Sequence, residues 1–274
     1  MRMRLSLLGV CLMGISSCSD QEEMRLDIKG GDPIEDSQFS SVVKVVESGF
    51  FNCTGVVVAE KVVLSAAHCF SRICQDESRA NGCKDVSEVE IKDRWGATYQ
   101  VAKIESFPYK YNENYITTQS FDLAVLELEN NFLGDITPIA QDLTAAETVL
   151  ENNRQQFSKP DGDLVSVGFG LTGEGLKNNS DHTKLYFSEV PFRGLYGLNG
   201  EEFHIGSNRS HGCKGDSGGP KFARLDGGWQ VVGIHSRSAT LNNYLACAAN
   251  DGAIATNLLA PQVFSPIQKA FDRI

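Results

Sequence analysis

The chain has 274 residues, 41% hydrophobic and 22% charged, which is ordinary globular material able to bury a sizeable core in one or two domains. Its formal net charge of −10 argues against a nucleic-acid partner. Only roughly the first 15 residues are continuously apolar, too few for a helix that spans a membrane.

Arg2 and Arg4 precede the apolar run Leu5 to Ile15, the pattern of an export signal. Residues 19–27 are polar and acid-rich, with Asp20, Glu22, Glu23 and Asp27, and read as a short tether or propeptide. From Phe39 to Ala67 short apolar runs alternate with Gly, Asn and Ser. Val42–Val46, Gly55–Val58 and Val62–Leu64 have strand composition. Residues 71–87 are polar, and a local disulfide between Cys74 and Cys83 is the simplest way to close this surface loop. Asp76, Glu77 and Asp85 lie there without a calcium-ligand spacing and read as solvated. Val89 to Val101 is expected to form a hairpin, and Tyr109 to Gln119 an exposed loop. Leu123 to Leu128 is apolar enough for a buried strand. Residues 140–163 are polar and end in Pro160-Asp161-Gly162-Asp163, a boundary between two halves. Leu164 to Gly170 opens the second half with another strand, and Gly173 and Gly175 begin a loop. His182 and His204 have no recognisable partners and read as surface or structural residues. Trp229 to Ser236 is a further strand. At the C-terminus Ser265 is expected as N-cap, Pro266 at the first helical position and Gln268 in a capping box, with Val263, Ile267, Phe271 and Ile274 forming an apolar face.

Three stretches carry chemistry. Gly215-Asp216-Ser217-Gly218-Gly219-Pro220 surrounds a serine with glycines. Glycine lets the backbone turn sharply and leaves N–H groups open beside a ligand, so the N–H groups of Gly215 and Ser217 can converge as an oxyanion hole. On its own this is an ordinary Gly/Ser/Asp/Pro turn. Leu64-Ser65-Ala66-Ala67-His68-Cys69 and Phe121-Asp122-Leu123-Ala124-Val125-Leu126-Glu127-Leu128 change the balance, because a nucleophilic serine needs a base and a residue that orients the base.

The order His68, Asp122, Ser217 and the three local motifs resemble those of trypsin/chymotrypsin-like serine proteases, from roughly Ile28 to the C-terminus. The resemblance implies an all-β fold of two packed six-stranded antiparallel β-barrels with a C-terminal helix. It divides the chain into residues 1–17 (signal peptide), 18–27 (tether or propeptide) and 28–274 (protease domain), with barrel one about 28–145, barrel two about 160–260 and the helix about 265–274. It implies a serine endopeptidase working through an acyl-enzyme, on polypeptide substrates, as a monomer, with no cofactor and no metal. His68 is then general base and acid, Asp122 its orienting partner, Ser217 the nucleophile, and Gly215 with Ser217 the oxyanion hole. The alternative is a related protein kept as an inactive zymogen or binding module. An α/β-type ester hydrolase would place its residues in the order Ser, Asp, His, which is not the order here.

Further residues are carried over by position. Ile28-Lys29-Gly30-Gly31 resembles the mature N-terminus of such proteases, whose freed ammonium pairs with the Asp before the nucleophile, here Asp216. Lys29 stands in place of the usual valine, and Asp27 in place of a basic residue at the cut. Disulfides Cys53–Cys69 and Cys213–Cys247 match the family's pairs. The pocket-floor position, six before Ser217, is His211 rather than the Asp of trypsins. Gly233-Ile234-His235-Ser236 is similar to glutamate-specific members, in which the histidine binds the substrate carboxylate. A histidine can donate to a carboxylate and be charged near its pKa. Ser238 adds a hydroxyl and Arg237 a nearby cation, so a preference for acidic P1 residues is expected. Ser236 is expected to contact Asp122, and the substrate backbone to add as a strand along Ser236 to Ser238.

Ile15-Ser16-Ser17-Cys18 resembles the lipobox of bacterial lipoproteins. Of eight cysteines, Cys11 leaves with the signal; a thioether at Cys18 then leaves six for three disulfides. An exported protein is expected, either held in a bacterial cell envelope by lipid alone or secreted.

Overall fold

The computed structural model describes residues 31–35, 37–74, 83, 85–107, 121–154, 162–170, 184–197, 199–207, 210–239 and 252–273. Cys18, Asp27, Ile28, Asp76, Glu77, Pro160, Asp161, Gly173, Gly175, His182, Cys247 and the expected loop 109–119 lie outside these.

Valine-rich segments build the first half. Strands β2 (Val42–Glu47), β3 (Phe50–Ala59), β4 (Val62–Ser65), β5 (Val89–Lys92), β6 (Thr98–Phe107) and β7 (Leu123–Leu128) close into a six-stranded barrel in the order β2-β3-β4-β7-β6-β5. The expected hairpin is present as β5 and β6, antiparallel with Ile91 opposite Tyr99, and β6 runs on to Phe107. A strand presents successive side chains to opposite faces, and here both faces are dry. Val57, Val63, Ala124 and Leu126 fill the barrel interior. Their neighbours Val56, Val58, Val62, Leu64, Leu123 and Val125 point outward into a second apolar cluster. This is why these strands read as continuous apolar runs rather than alternating ones.

That second cluster is the seam between the halves. It receives Val165, Val167, Phe222, Val231 and Ile234 from the other sheet, and Val263, Ile267 and Ala270 from the C-terminal helix. The second sheet has eight strands, β1 (Asp32–Pro33), β8 (Leu164–Gly168), β9 (Tyr186–Glu189), β10 (Phe192–Tyr196), β11 (Glu202–Ile205), β12 (Pro220–Leu225), β13 (Gly228–Ser238) and β14 (Ala253–Asn257), in the order β1-β9-β8-β12-β13-β14-β11-β10. Its far face carries a third cluster, with Leu164, Phe203, Ala223, Leu225 and Val232. A barrel, a second packed sheet and a C-terminal helix make a mostly β molecule of the chymotrypsin-like type. The short strand β1 pairs with β9 and so docks the start of the described chain on the second sheet.

The helices differ from expectation. Residues 143–154, taken only as part of a polar boundary, form α1 (Leu143–Arg154). Asp142 caps it by accepting the N–H of Ala145 at 2.9 Å, and Ala146 and Leu150, four apart, bury one thin stripe. The C-terminal helix α2 spans Pro261–Phe271 and starts four residues before Ser265. Ala260 is its N-cap, Pro261 supplies the favoured first-turn proline, and Pro266 lies inside. The Gln268 side chain reaches forward to Asp272 at 2.9 Å instead of back to Ser265. Burial decides the start, because Val263 must already be helical to reach the seam with Ile267 and Ala270.

Ile267 is fully buried in that seam. Ile267→Ala is expected to destabilise the fold by about 2–5 kcal/mol, read as a lower urea midpoint at unchanged slope.

Candidate active site

His68 sits in the 3-10 turn Ala67–Phe70 that follows β4, and Asp122 immediately precedes β7. Since β4 and β7 are paired, with Ser65 opposite Ala124, the two residues emerge side by side at one end of the barrel. Asp122 is 3% exposed. Its Oδ1 accepts the backbone N–H of His68 at 2.9 Å, and its Oδ2 lies 2.6 Å from His68 Nδ1. Ser236 of β13 donates its hydroxyl to the same Oδ2 at 2.7 Å. Burial opposes ionisation of Asp122, but these hydrogen bonds and the His68 charge outweigh it and hold its pKa below the ordinary value. Burial likewise works against the charged form of His68. The Asp122 hydrogen bond and charge prevail over that and over the repulsion of Arg237, so its pKa is raised above 6.5.

Ser217 lies in the turn that leads into β12, and that turn is bound on both sides. From the first barrel, Thr54 donates its N–H to the Ser217 carbonyl and its hydroxyl to the Gly215 carbonyl, both at 2.9 Å. From the second sheet, Gly218 N–H donates to the His235 carbonyl and His235 N–H to the Gly219 carbonyl, both at 2.8 Å. Gly215 has φ +96° and Gly218 φ +80°, a region that favours glycine. A Cβ on Gly218 would run into Ser65 Oγ and the Thr54 carbonyl, and would sit 2.8 Å from Ala66 N. Among the described residues, no hydrogen bond uses the N–H of Gly215 or Ser217. His68, Asp122 and Ser217 line one cavity of about 730 Å³, together with Gly212, His235, Ser236, Arg237 and Ser238.

Asp216 turns the other way, into the interior. It is 1% exposed, with Oδ1 accepting from Gly170 N–H at 2.8 Å and Oδ2 from Cys213 N–H at 2.7 Å. Any side chain at Gly168 or Gly170 would overlap this carboxylate. Its expected partner, the ammonium of Ile28, falls outside the described residues.

The pocket residues separate into groups. His235, Ser236, Arg237 and Ser238 line the cavity, whereas His211 is buried beside it with Nδ1 2.8 Å from the Ser207 carbonyl. Arg237 is committed elsewhere: its guanidinium forms a two-pronged pair with Glu202, at 2.7 Å for one prong, and Glu202 is 2% exposed. His235 is not a charged ligand. Burial first, then the charges of Lys221, His68, His211 and Arg237, push its pKa well below 6.5, so near neutrality it presents a neutral ring. Lys221 escaped the sequence reading. It is 1% exposed, shares a strand face with Ala223 and Leu225, donates to Ser166 Oγ and lies 3.2 Å from His235 Nδ1. Burial lowers its pKa to about 8, although the Asp216 charge pulls the other way. The available signal was a lysine one residue after Pro220, at an inward register position of an otherwise buried strand.

Cys53–Cys69 and Cys74–Cys83 are joined as disulfides. Cys53, Cys69 and His68 are also the one cluster of potential metal ligands among the described residues. With both sulfurs oxidised, it offers no thiolates to a metal. The pairing expected for Cys213 rests on Cys247, outside the described residues.

The trypsin family model matches residues 28–256. Among curated relatives, trypsin delta and trypsin gamma of Drosophila erecta are each 24% identical over 235 residues, covering 79% of this chain and 81% of theirs.

Gly218→Ala is expected to abolish reaction of Ser217 with a fluorophosphonate probe while leaving the barrel folded, because the added methyl displaces the turn from Thr54 and Ser65. Intact labelling with unchanged stability would show that the turn tolerates the shift.

Proposed function

The chain belongs to the trypsin family, and from that premise we propose that it is an exported serine endopeptidase preferring acidic P1 residues. The observation that carries the proposal is the His68–Asp122–Ser236 bond set opening on the same cavity as Ser217. With Nδ1 engaged by Asp122, the Nε2 of His68 is left for the serine. Ser217 Oγ attacks the scissile carbonyl as its proton passes to His68, and Asp122 stabilises the imidazolium. The negative carbonyl oxygen is met by the N–H groups of Gly215 and Ser217. His68 then protonates the leaving amine, the peptide's new N-terminus departs, and water, deprotonated by His68, hydrolyses the acyl-enzyme.

The acidic preference rests on His235, which with Nδ1 turned to Lys221 has Nε2–H to offer a carboxylate, and on the Ser238 hydroxyl. His211 and Arg237 supply no contact of this kind, since one lies behind the cavity wall and the other is paired with Glu202. Cleavage after Asp27 would free Ile28 to pair with Asp216, a bond this specificity would itself select. Export follows from the N-terminal signal pattern and fits the two disulfides; lipid on Cys18 would anchor the mature protein.

Ser217→Ala and His68→Ala are each expected to remove nearly all amidase activity, and the double variant to be little worse than either. A chain that neither labels with a fluorophosphonate nor cleaves a mixed peptide library would be a binding module instead. Because the His68 pKa is raised, the base is protonated and inactive at low pH. The kcat/KM of the enzyme should therefore rise through a limb centred above pH 6.5. Asp122→Asn should cost roughly 10⁴-fold in kcat. Cys18→Ser is expected to move the protein from the membrane to the soluble fraction, and unchanged fractionation would rule the lipid out.

A further inference from the structure

Lys221 is a cation in the wrong place for a structural residue. Alternate positions of β12 place it with Ala223 and Leu225, on the face that packs the third core cluster. It is 1% exposed, and among the described residues no carboxylate forms an ion pair with it. The acidic group whose charge reaches it, Asp216, is already bound by two backbone N–H groups. A buried charge without a close counter-ion is costly. What it touches is Ser166 Oγ and, at 3.2 Å, the Nδ1 of His235, a residue that lines the cavity.

An ammonium has three N–H donors and no lone pair. Its contact with Nδ1 therefore makes that nitrogen an acceptor, and a neutral His235 must carry its proton on Nε2. A neutral Nε2–H bonds a carboxylate more strongly than a carboxamide, but the carboxylate costs more to desolvate. A full positive charge directly behind the ring distinguishes them, because it strengthens the Nε2–H donor and attracts net negative charge across a short dry path. We propose that Lys221 is the specificity-determining cation of the pocket, a positioning residue that acts through His235 so that a P1 Glu or Asp carboxylate supplies its missing counter-charge. This rests on the acidic-P1 reading given above.

The test uses the active mature protein and two peptides differing only in P1, Glu against Gln. The unaltered enzyme is expected to favour Glu. Lys221→Met, its fold checked by circular dichroism, should lower the Glu-to-Gln ratio of kcat/KM by about tenfold or more, chiefly through KM for the Glu peptide. No Glu preference in the unaltered enzyme would overturn the acidic-P1 reading and this proposal together. A Glu preference that survives Lys221→Met would overturn the role of Lys221 alone. Should that variant not fold, the same ratio followed from pH 8 to 10 in the unaltered enzyme decides. The peptide carboxylate stays ionised, and His68 affects both peptides alike and cancels. His211, Asp216, Asp122, Glu202 and Arg237 are residue types that do not ordinarily change charge in that range, and His235 is already neutral. Loss of the Ile28 ammonium would disable turnover of both peptides alike, and because Lys214 also lines the cavity the series is repeated in Lys214→Gln, where the fall should persist. The ratio should fall as Lys221 loses its proton; a flat ratio to pH 10 would overturn the proposal.

Discussion

The arrangement depends on one buried carboxylate. Asp122 is almost wholly removed from water, yet it is kept ionised by donors that come from different parts of the molecule. His68 contributes its backbone N–H and ring from the first barrel, Ser236 its hydroxyl from the second sheet, and Thr256 of β14 caps the Asp122 carbonyl at 3.1 Å. A buried charge stripped of such partners is expensive. Separating the halves would uncover it, so the same bonds that orient a histidine also fix how the barrel and the sheet meet. The apolar seam supplies the area; Asp122 supplies the register.

Thr54 performs the corresponding task on the opposite side of the cavity. It uses its N–H and hydroxyl on the carbonyls of Ser217 and Gly215, its hydroxyl also accepts from Phe169 N–H at 3.2 Å, and its carbonyl accepts from Ser65. Such close approach of β3 to the serine turn leaves no room for a Cβ at Gly218. The glycines after Ser217 are therefore demanded by backbone contact across the seam, in addition to any freedom the turn itself requires.

Much of this was legible in the sequence because it is local. The valine runs name their strands, the three motifs name His68, Asp122 and Ser217, and positional resemblance names Ser236 as the neighbour of Asp122. What escaped depends on contacts between distant segments. Helix α1 presents too few apolar residues to stand out until β10 and β12 are packed against it. The start of α2 is set by where Val263 must reach, so a plausible capping box at Ser265 misleads. Arg237 looks available until Glu202, 35 residues away, is seen to hold it. Lys221 looks like any strand lysine until the register shows that it points inward.

The last two residues suggest how charge is managed around the cavity. Two cations flank the wall formed by β13. Arg237 has its own carboxylate, Glu202, whose pKa is raised by burial despite the guanidinium beside it. That pair is internally balanced and adds little net field. Lys221 is not balanced in this way: its nearest polar contacts, Ser166 and His235, are neutral. Lys221 thus places a cation without an ion-paired carboxylate behind His235, while the protein as a whole carries −10. The surface charge therefore works against an acidic peptide at long range, where salt screens it within roughly 10 Å. On the proposal above, the buried cation would work for the peptide at short range, where water is excluded and screening fails. Selection for a carboxylate would then arise within the pocket, after contact, and depend only weakly on ionic strength.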